Sequence, residues 1–331
     1  MTLLPTFARR TLTQTVHRNP KALITPLISQ RVNMTTAVFR HIDAAAIPQG
    51  TKPWVKVDAD ASSFKLAEHK RSVRNLRGQE TEFSTDISGF AVYKEPSNEK
   101  SFRDEAAVRG AYYQEIENLL KKRIPGIKKV VIFDHTIRRR TPESARAPVQ
   151  QVHVDQTPAA AEARVRRHLP ADEAEELLKN RFQIINVWRP IENPATDFPL
   201  AVIDWRTTKP DDFLPVDLLY PKREDFATDK DDRGKEIRAD ESKWFSTEGY
   251  EVRGETMSVA PSEAHKYYYQ KDMTPDEVLL LKCYDSWGEG QPQGKNGIAV
   301  RTPHTAFNDP QTPEGTPGRQ SIEVRCLVFY E

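Results

Sequence analysis

The sequence predicts a mainly β fold with flanking helices: a β-sandwich or barrel-like core with helices packed outside it. Three observations carry this expectation. Short apolar segments of strand composition follow one another through the second half of the chain, from "RFQIINVWRPI" to "SIEVRCLVFY". Strong helical periodicity is confined to two segments upstream of them, a separation that suits a β core with helices outside. No G-x-G-x-x-G or G-x-x-x-x-G-K-S/T turn is present, so the sequence does not read as a nucleotide-binding parallel sheet. Pro outnumbers Gly, 24 to 14, which favours fixed-φ loops and short elements.

The first 35 residues stand apart. The first acid is Asp43, while Arg9, Arg10, Arg18, Lys21 and Arg31 supply positive charge among many Thr and Ser. Such a basic, acid-free leader matches a mitochondrial transit peptide; a disordered leader, or initiation at Met34, is the alternative, and the expected location is cytoplasmic or mitochondrial. Residues 36–331 are expected to form one domain. "SFRDEAAVRGAYYQEIENLLKKR" reads as a helix with Ser101 as its cap, an apolar stripe through Val108, Tyr112, Ile116, Leu119 and Leu120, and a stop at Pro125 and Gly126. "KKVVIFDHTIRRR" follows as a strand and "VQQVHVD" as another. "TPAAAEARVRRHLPADEAEELLKN" is helical, capped by Thr157, opened by Pro158 and broken at Pro170. The remaining strands are "RFQIINVWRPI", "LAVIDWRTT", "EVLLLKCYDS", "GIAVRTPHTAF" and "SIEVRCLVFY". A charged insertion at about 206–266 reads as a surface excursion without its own core.

Bulk numbers exclude several classes. The formal charge is +1, so no global field points to nucleic acid or an anionic membrane. No apolar run approaches the roughly 18 residues of a membrane span. Cys283 and Cys326 both sit in apolar runs and read as buried free thiols.

The chemistry is concentrated in "QQVHVDQTP". On a strand, residues two apart share a face, so His153 and Asp155 present an imidazole and a carboxylate side by side. That is two-thirds of the 2-His-1-carboxylate facial triad, which holds Fe(II) and leaves coordination positions open. The third ligand is expected from His304 in "RTPHTAF", with His265 in "SEAHKYYY", read as a surface residue, in reserve. Downstream, Arg319 and Ser321 open the last strand as another i, i+2 pair. A guanidinium with a neighbouring hydroxyl can hold a carboxylate. Arg325 lies on the same face, six residues on, and rivals Arg319 for that role.

The ordered set His153-x-Asp155, His304, Arg319-x-Ser321 resembles the iron(II)/2-oxoglutarate-dependent oxygenases. From about residue 85 onward, "FDHTIR", "VHVDQTP", "NVWRPI", "PLAVIDWRT", "MTPDEVLLLKCYDS", "PHTAF" and "RQSIEVRCLVF" resemble the fungal gibberellin-desaturase-like proteins, related to the bacterial cephem methoxylase component. The resemblance implies a double-stranded β-helix (jelly-roll) core. It implies Fe(II) and 2-oxoglutarate as cofactors, O2 and a small molecule as substrates, and hydroxylation or desaturation of an unactivated carbon in secondary metabolism. The spacing from Asp155 to His304 is long for a compact oxygenase, so the insertion must loop out. Two further readings stand beside this one: a jelly-roll metalloenzyme that does not use 2-oxoglutarate, and a non-catalytic or partner-dependent jelly-roll subunit.

Four further residues complete the expected site. Asn186 and Trp188 share a face of "NVWRPI" and could line the pocket. Arg189 points the other way unless the strand bulges before Pro190, in which case it joins them as a substrate-binding residue; the alternative places Trp188 in the core and Arg189 in a structural ion pair. Tyr284 could contact the cosubstrate or cap a strand end. His135 is expected in a structural hydrogen bond to Asp134 or Thr136.

Overall fold

A computed structural model describes residue 1 and residues 34–59, 61–140, 148–222 and 245–330. Almost all of the basic leader and the charged stretch 223–244 therefore lie outside the described residues.

Among the described residues fourteen strands form two sheets. The larger has the order β1 (Met34–Ile42), β3 (Leu66–Asn75), β11 (Tyr267–Tyr269), β8 (Leu200–Ile203), β13 (His304–Ala306), β6 (His153–Val154), β10 (Tyr250–Val259), β9 (Phe213–Pro221) and β2 (Trp54–Lys56). The smaller has the order β4 (Phe90–Lys94), β12 (Glu277–Asp285), β7 (Phe182–Pro190), β14 (Gln320–Phe329) and β5 (Lys129–Arg139). The larger sheet curls: its end strand β1 returns to bridge Arg40 with Gln151, just before β6. The helices are few: α1 (Glu105–Ala107), a π-helical turn at Val108–Tyr112, α2 (Tyr113–Arg123), α3 (Pro158–His168) and α4 (Ala171–Leu177).

β7 and β12 are buried along their whole length and rich in apolar residues because both their faces are covered; β14 is so only from Cys326 onward. Outward residues Ile322, Val324, Ile185 and Val187 pack against Tyr112, Ile116, Leu119 and Leu120 of the helical stripe. Inward residues take two destinations. At one end Trp188, Leu279 and Leu281 meet Leu200, Val202 and Tyr268 of the larger sheet. At the other, Phe182, Ile184, Leu327 and Phe329 pack on Ala161 and Val165 of α3 and Ala174 of α4. Burying each such side chain contributes about 1.5–3 kcal/mol. Between these two apolar blocks the sheets stand apart, and the inner faces of β5 and β14 carry polar residues into the gap.

Several local expectations shift. Asp104, not Ser101, caps the first helix, its carboxylate accepting from the Ala106 amide at 2.9 Å. Thr157 caps α3 as read, accepting from the Ala160 amide at 3.1 Å. The 206–266 segment is more than a surface excursion. It contains β9 and β10, and β10 pairs with β6, the strand that carries His153. β10 was hidden by its charged residues Glu251, Arg253 and Glu255, and β9 by Pro215 and Pro221 within an otherwise mostly apolar run. Both cysteines are buried and free, as expected. No helix among the described residues is long and apolar enough to cross a membrane.

Candidate active site

One register builds the centre. His304 of β13 pairs directly with His153 of β6, so two imidazoles stand on adjacent strands with ring centroids 4.5 Å apart. Asp155 follows at the end of β6, where the chain turns into α3. Each ring is anchored through Nδ1: His153 donates to the Gln151 carbonyl at 2.8 Å and His304 to the Thr302 carbonyl at 3.0 Å. A carbonyl only accepts, so Nδ1 carries the proton in a neutral ring and Nε2 keeps its lone pair. Both Nε2 atoms face Asp155 Oδ1, at 3.4 Å from His153 and 3.8 Å from His304. One ligand atom from each residue lies within 4.8 Å of the others. Two imidazole nitrogens and one carboxylate oxygen are the donor set of a facial metal site with open positions.

The other Asp155 oxygen is fixed from the smaller sheet. Oδ2 accepts from Asn186 Nδ2 at 2.7 Å and from Arg325 Nε at 3.4 Å. Burial alone would raise the Asp155 carboxyl; the hydrogen bond that His153 Nε2 donates when its ring is protonated, with Arg325 and His304, holds it well below the usual carboxylate range. Burial likewise opposes a charge on His153, but its hydrogen bond to Asp155 and that residue's charge outweigh burial and raise its pKa. His304 goes the other way, lowered by burial and then by the neighbouring His153. The carboxylate is thus ionised and oriented, and outer partners of this kind tune metal affinity. Asn186→Ala is expected to weaken Fe(II) binding about 10–100-fold. Anaerobic metal titration checks this, and unchanged affinity would show that Arg325 alone suffices to hold Asp155.

The triad opens into a cavity of about 520 Å³ between the sheets. On the side of the smaller sheet it is lined by Arg319, just before β14, and by alternate residues of β14 and β5: Ser321, Glu323 and Arg325, with Asp134, Thr136 and Arg138. Trp188 and Leu200 also line it, and Val55, Val57, Leu218, Tyr220 and Pro221 form an apolar wall beyond β10.

The two rival arginines separate by their partners. Arg325 meets Asp134 at 2.9 Å, Glu323 at 2.6 Å and Asp155 at 3.4 Å, and these carboxylates raise its pKa against the effect of burial. Arg325 is an orienting partner of Asp155, not an open clamp. Arg319 is 4% exposed and has no carboxylate within ion-pair distance among the described residues. Its Nη1 donates to the Phe198 carbonyl at 2.6 Å, its guanidinium lies 5.7 Å from the Trp188 ring centroid, and its Nε is buried without a partner. Burial, reinforced by Arg138, pushes it down to about 10. A buried guanidinium in this state is a ready anion site.

Three expected site residues are elsewhere. Tyr284 does not line the cavity; it packs with Phe182, and its hydroxyl donates to Gln291 Oε1 at 3.2 Å. A register shift between Lys282 and Tyr284 sets that side chain's direction, and composition does not announce a bulge. Arg189 points to the outer face of β7, where it donates to the Pro275 carbonyl at 2.7 Å and lies over the Tyr112 ring. Its role is structural and not substrate-binding, and it is made through a carbonyl where the alternative reading had an ion pair. Asn186 shares the inner face with Trp188 as expected, yet it is fully buried and serves Asp155 instead of the pocket. His265 is buried, not at the surface, and faces Asp212 at 2.9 Å. His135 bonds the Tyr113 hydroxyl at 2.7 Å, in place of Asp134 or Thr136. Asp134 was overlooked beside His135. The period-two alternation of "FDHTIRR" places Asp134, Thr136 and Arg138 together on one face, and that signal could have found it.

A family model described as an oxidoreductase/YMDC permease-like domain matches residues 44–329. The hydroxylase/desaturase efuI of Hormonema carpetanum is 34% identical over 322 residues, covering 92% of this chain and 96% of the relative. The Fe(II)/2-oxoglutarate-dependent dioxygenase nvfI of Aspergillus novofumigatus is 32% identical over 275 residues, covering 81% and 86%. Among solved structures, the iron and alpha-ketoglutarate-dependent endoperoxidase NvfI superposes with a TM-score of 0.72 at 29% identity, covering 90% of this chain and 98% of that one. With its His-Asp-His cluster set in the fold these relatives share, the chain belongs to the oxidoreductase family of the fungal hydroxylase/desaturases and iron(II)/2-oxoglutarate-dependent dioxygenases.

Proposed function

We propose that the protein is an iron(II)/2-oxoglutarate-dependent oxygenase that hydroxylates or desaturates an unactivated carbon of a small secondary metabolite. Its two facing sheets are read as a double-stranded β-helix of the gibberellin-desaturase-like type. The observation that carries the reading is the pairing, in one cavity, of a convergent His153–Asp155–His304 donor set with the guanidinium of Arg319, which has no acid within ion-pair distance among the described residues and whose Nε is buried without a partner.

The residues fit the cofactors. His153, Asp155 and His304 would hold Fe(II), since their lone pairs converge and their other atoms are tied back. Arg319 and Ser321 would hold the distal carboxylate of 2-oxoglutarate, which gives the buried charge its missing partner. Bound together, iron and 2-oxoglutarate supply the oxidising power to break a C–H bond with O2, releasing succinate and carbon dioxide. The chain's own work is positional. Arg325 and Asn186 keep Asp155 Oδ1 turned towards the histidines. The Gln151 and Thr302 carbonyls prevent either ring from rotating. Trp188 and Leu200 keep water from the Arg319 end, and the apolar wall from Val55 to Pro221 presents the substrate carbon.

The test is anaerobic titration of Fe(II) protein with 2-oxoglutarate, following the weak visible charge-transfer band of the chelate in wild type and Arg319→Ala. Hydrogen bonds to a charged group contribute about 1.5–3 kcal/mol, so the variant is expected to bind 2-oxoglutarate about 10–100-fold more weakly. Absence of the band in wild-type protein that contains Fe(II) would overturn the 2-oxoglutarate mechanism. Equal affinity in the variant would remove Arg319 from the clamp.

A further inference from the structure

Five arginines line the cavity: Arg138, Arg164, Arg253, Arg319 and Arg325. Their partners distinguish them. Arg325 is neutralised by Asp134, Glu323 and Asp155. Arg253 meets Glu251 at 2.6 Å and the Pro221 carbonyl at 3.1 Å. Arg138 is also engaged. Arg319 is assigned above to the cosubstrate.

Arg164 is left over. It projects from α3, the helix that follows Asp155, and is half-buried against the Phe133 ring, 5.5 Å from its centroid. Among the described residues it has no hydrogen bond and no ion pair. The acids of the cavity do not supply one. Asp134 and Glu323 belong to Arg325, Asp155 to the triad, and Asp58 accepts from the Tyr250 hydroxyl at 2.9 Å. Burial accordingly lowers the Arg164 pKa, with Tyr220 the foremost group acting in the opposite sense. A guanidinium that is partly desolvated inside a cavity and has gained no acid is an unfilled anion site.

Its position separates it from the cosubstrate clamp. In the larger sheet, β13 and β6 carry the histidines, β8 lies to one side, and β10, β9 and β2 lie to the other. Leu200 of β8 lines the cavity on the first side, and the apolar residues Val55, Leu218 and Tyr220 line it on the second. Thr157, at the start of α3, donates to Glu255 of β10 at 2.6 Å, which ties the Arg164 helix to that second side.

We propose that Arg164 binds a singly charged anionic group, of the carboxylate class, on an otherwise apolar substrate whose skeleton lies against Val55, Leu218 and Tyr220. This rests on the oxygenase reading, which assigns Arg319 to 2-oxoglutarate and leaves Arg164 to the substrate.

The test uses protein loaded anaerobically with Fe(II) and saturating 2-oxoglutarate, each sample checked by its charge-transfer band. Two matched pairs serve as probes: naphthalene-1-acetic acid and its methyl ester, and decanoic acid and its methyl ester. Calorimetric titration is expected to show at least one acid binding about tenfold or more tighter than its ester. Arg164→Gln is expected to abolish that preference, and Arg164→Lys to retain part of it. No acid binding at millimolar concentration, equal binding of acid and ester, or a preference retained in Arg164→Gln would each overturn the proposal. A missing band in wild type would instead overturn the oxygenase reading, and the same acid and ester comparison would then judge Arg164 as an anion site by itself.

Discussion

Asp155→Ala is expected to lose Fe(II) binding and, with it, all turnover. Asp155 provides the only carboxylate of the triad, and its Oδ1 is the atom on which both histidine Nε2 atoms converge. Without it the site is two neutral imidazoles, which neither balance the metal's charge nor define an octahedral face. The effect should exceed the roughly 10–100-fold expected from an outer partner such as Asn186. A second consequence reports on the fold. The Asn186 amide is fully buried and donates to Asp155 Oδ2, so the variant leaves that donor unsatisfied at a cost of about 1–3 kcal/mol. Arg325 keeps Asp134 and Glu323 and should remain in place. Iron content after anaerobic loading, together with the urea midpoint of the same preparation, reads both effects. A variant that still holds one equivalent of Fe(II) would remove Asp155 from the ligand set. A variant that loses iron but not stability would show that water reaches Asn186.

Much of this site was legible because strand alternation is a strong constraint. His153 with Asp155, Arg319 with Ser321, and Asn186 with Trp188 were each paired by spacing alone, and each pair has both members at or beside the cavity. The apolar runs of β7, β12 and the second half of β14 were equally plain, since strand segments covered on both faces read as hydrophobic runs. What could not be read was the destination of a charge. Arg319, just before β14, and Arg325, within it, both face the cavity; they differ because Asp134 and Glu323 stand beside one and not the other. Glu323 is on the same strand, but Asp134 arrives from β5 through a long-range register. Arg189 faces the helical layer, as alternation from Trp188 implies in a strand without a bulge before Pro190, so it does not bind substrate; Tyr284 is turned away by a bulge that composition does not announce. Arg164 gave no signal, because "ARVRRH" on a helix reads as a solvated basic face. The strands β9 and β10 were obscured by the charged segment between them and by their own partial exposure.

Asp285→Ala is expected to be the most destabilising of these substitutions while leaving the metal centre intact. Asp285, next to the misassigned Tyr284, has a fully buried side chain and accepts five hydrogen bonds. They come from Arg181 Nε at 3.2 Å and Nη2 at 2.7 Å, Gln183 Nε2 at 2.7 Å, Lys282 Nζ at 2.7 Å and the Trp287 amide at 2.9 Å. Lys282 is itself fully buried, with Asp86 as its other partner at 2.7 Å. Burial would raise the Asp285 carboxyl, but Lys282 and Arg181 outweigh it and hold the pKa below the ordinary value. A depressed acid contributes stability that is present above its unfolded pKa and lost as pH falls towards its folded one. Removing the carboxylate leaves Lys282 buried with a single partner, a loss of about 3–5 kcal/mol, which is a large part of a typical stability of about 5–15 kcal/mol. None of the groups bonded to Asp285 belongs to the triad, so Fe(II) affinity of the folded fraction should not change. The double replacement Lys282→Met with Asp285→Leu should cost less than the single variant, because it removes both charges together and leaves Arg181 paired with Asp86 at 2.6 Å. Urea midpoints of the wild type, the single variant and the double variant decide the matter. If the double variant is the less stable of the two, the cluster contributes through its full hydrogen-bond network and not through charge compensation between Lys282 and Asp285.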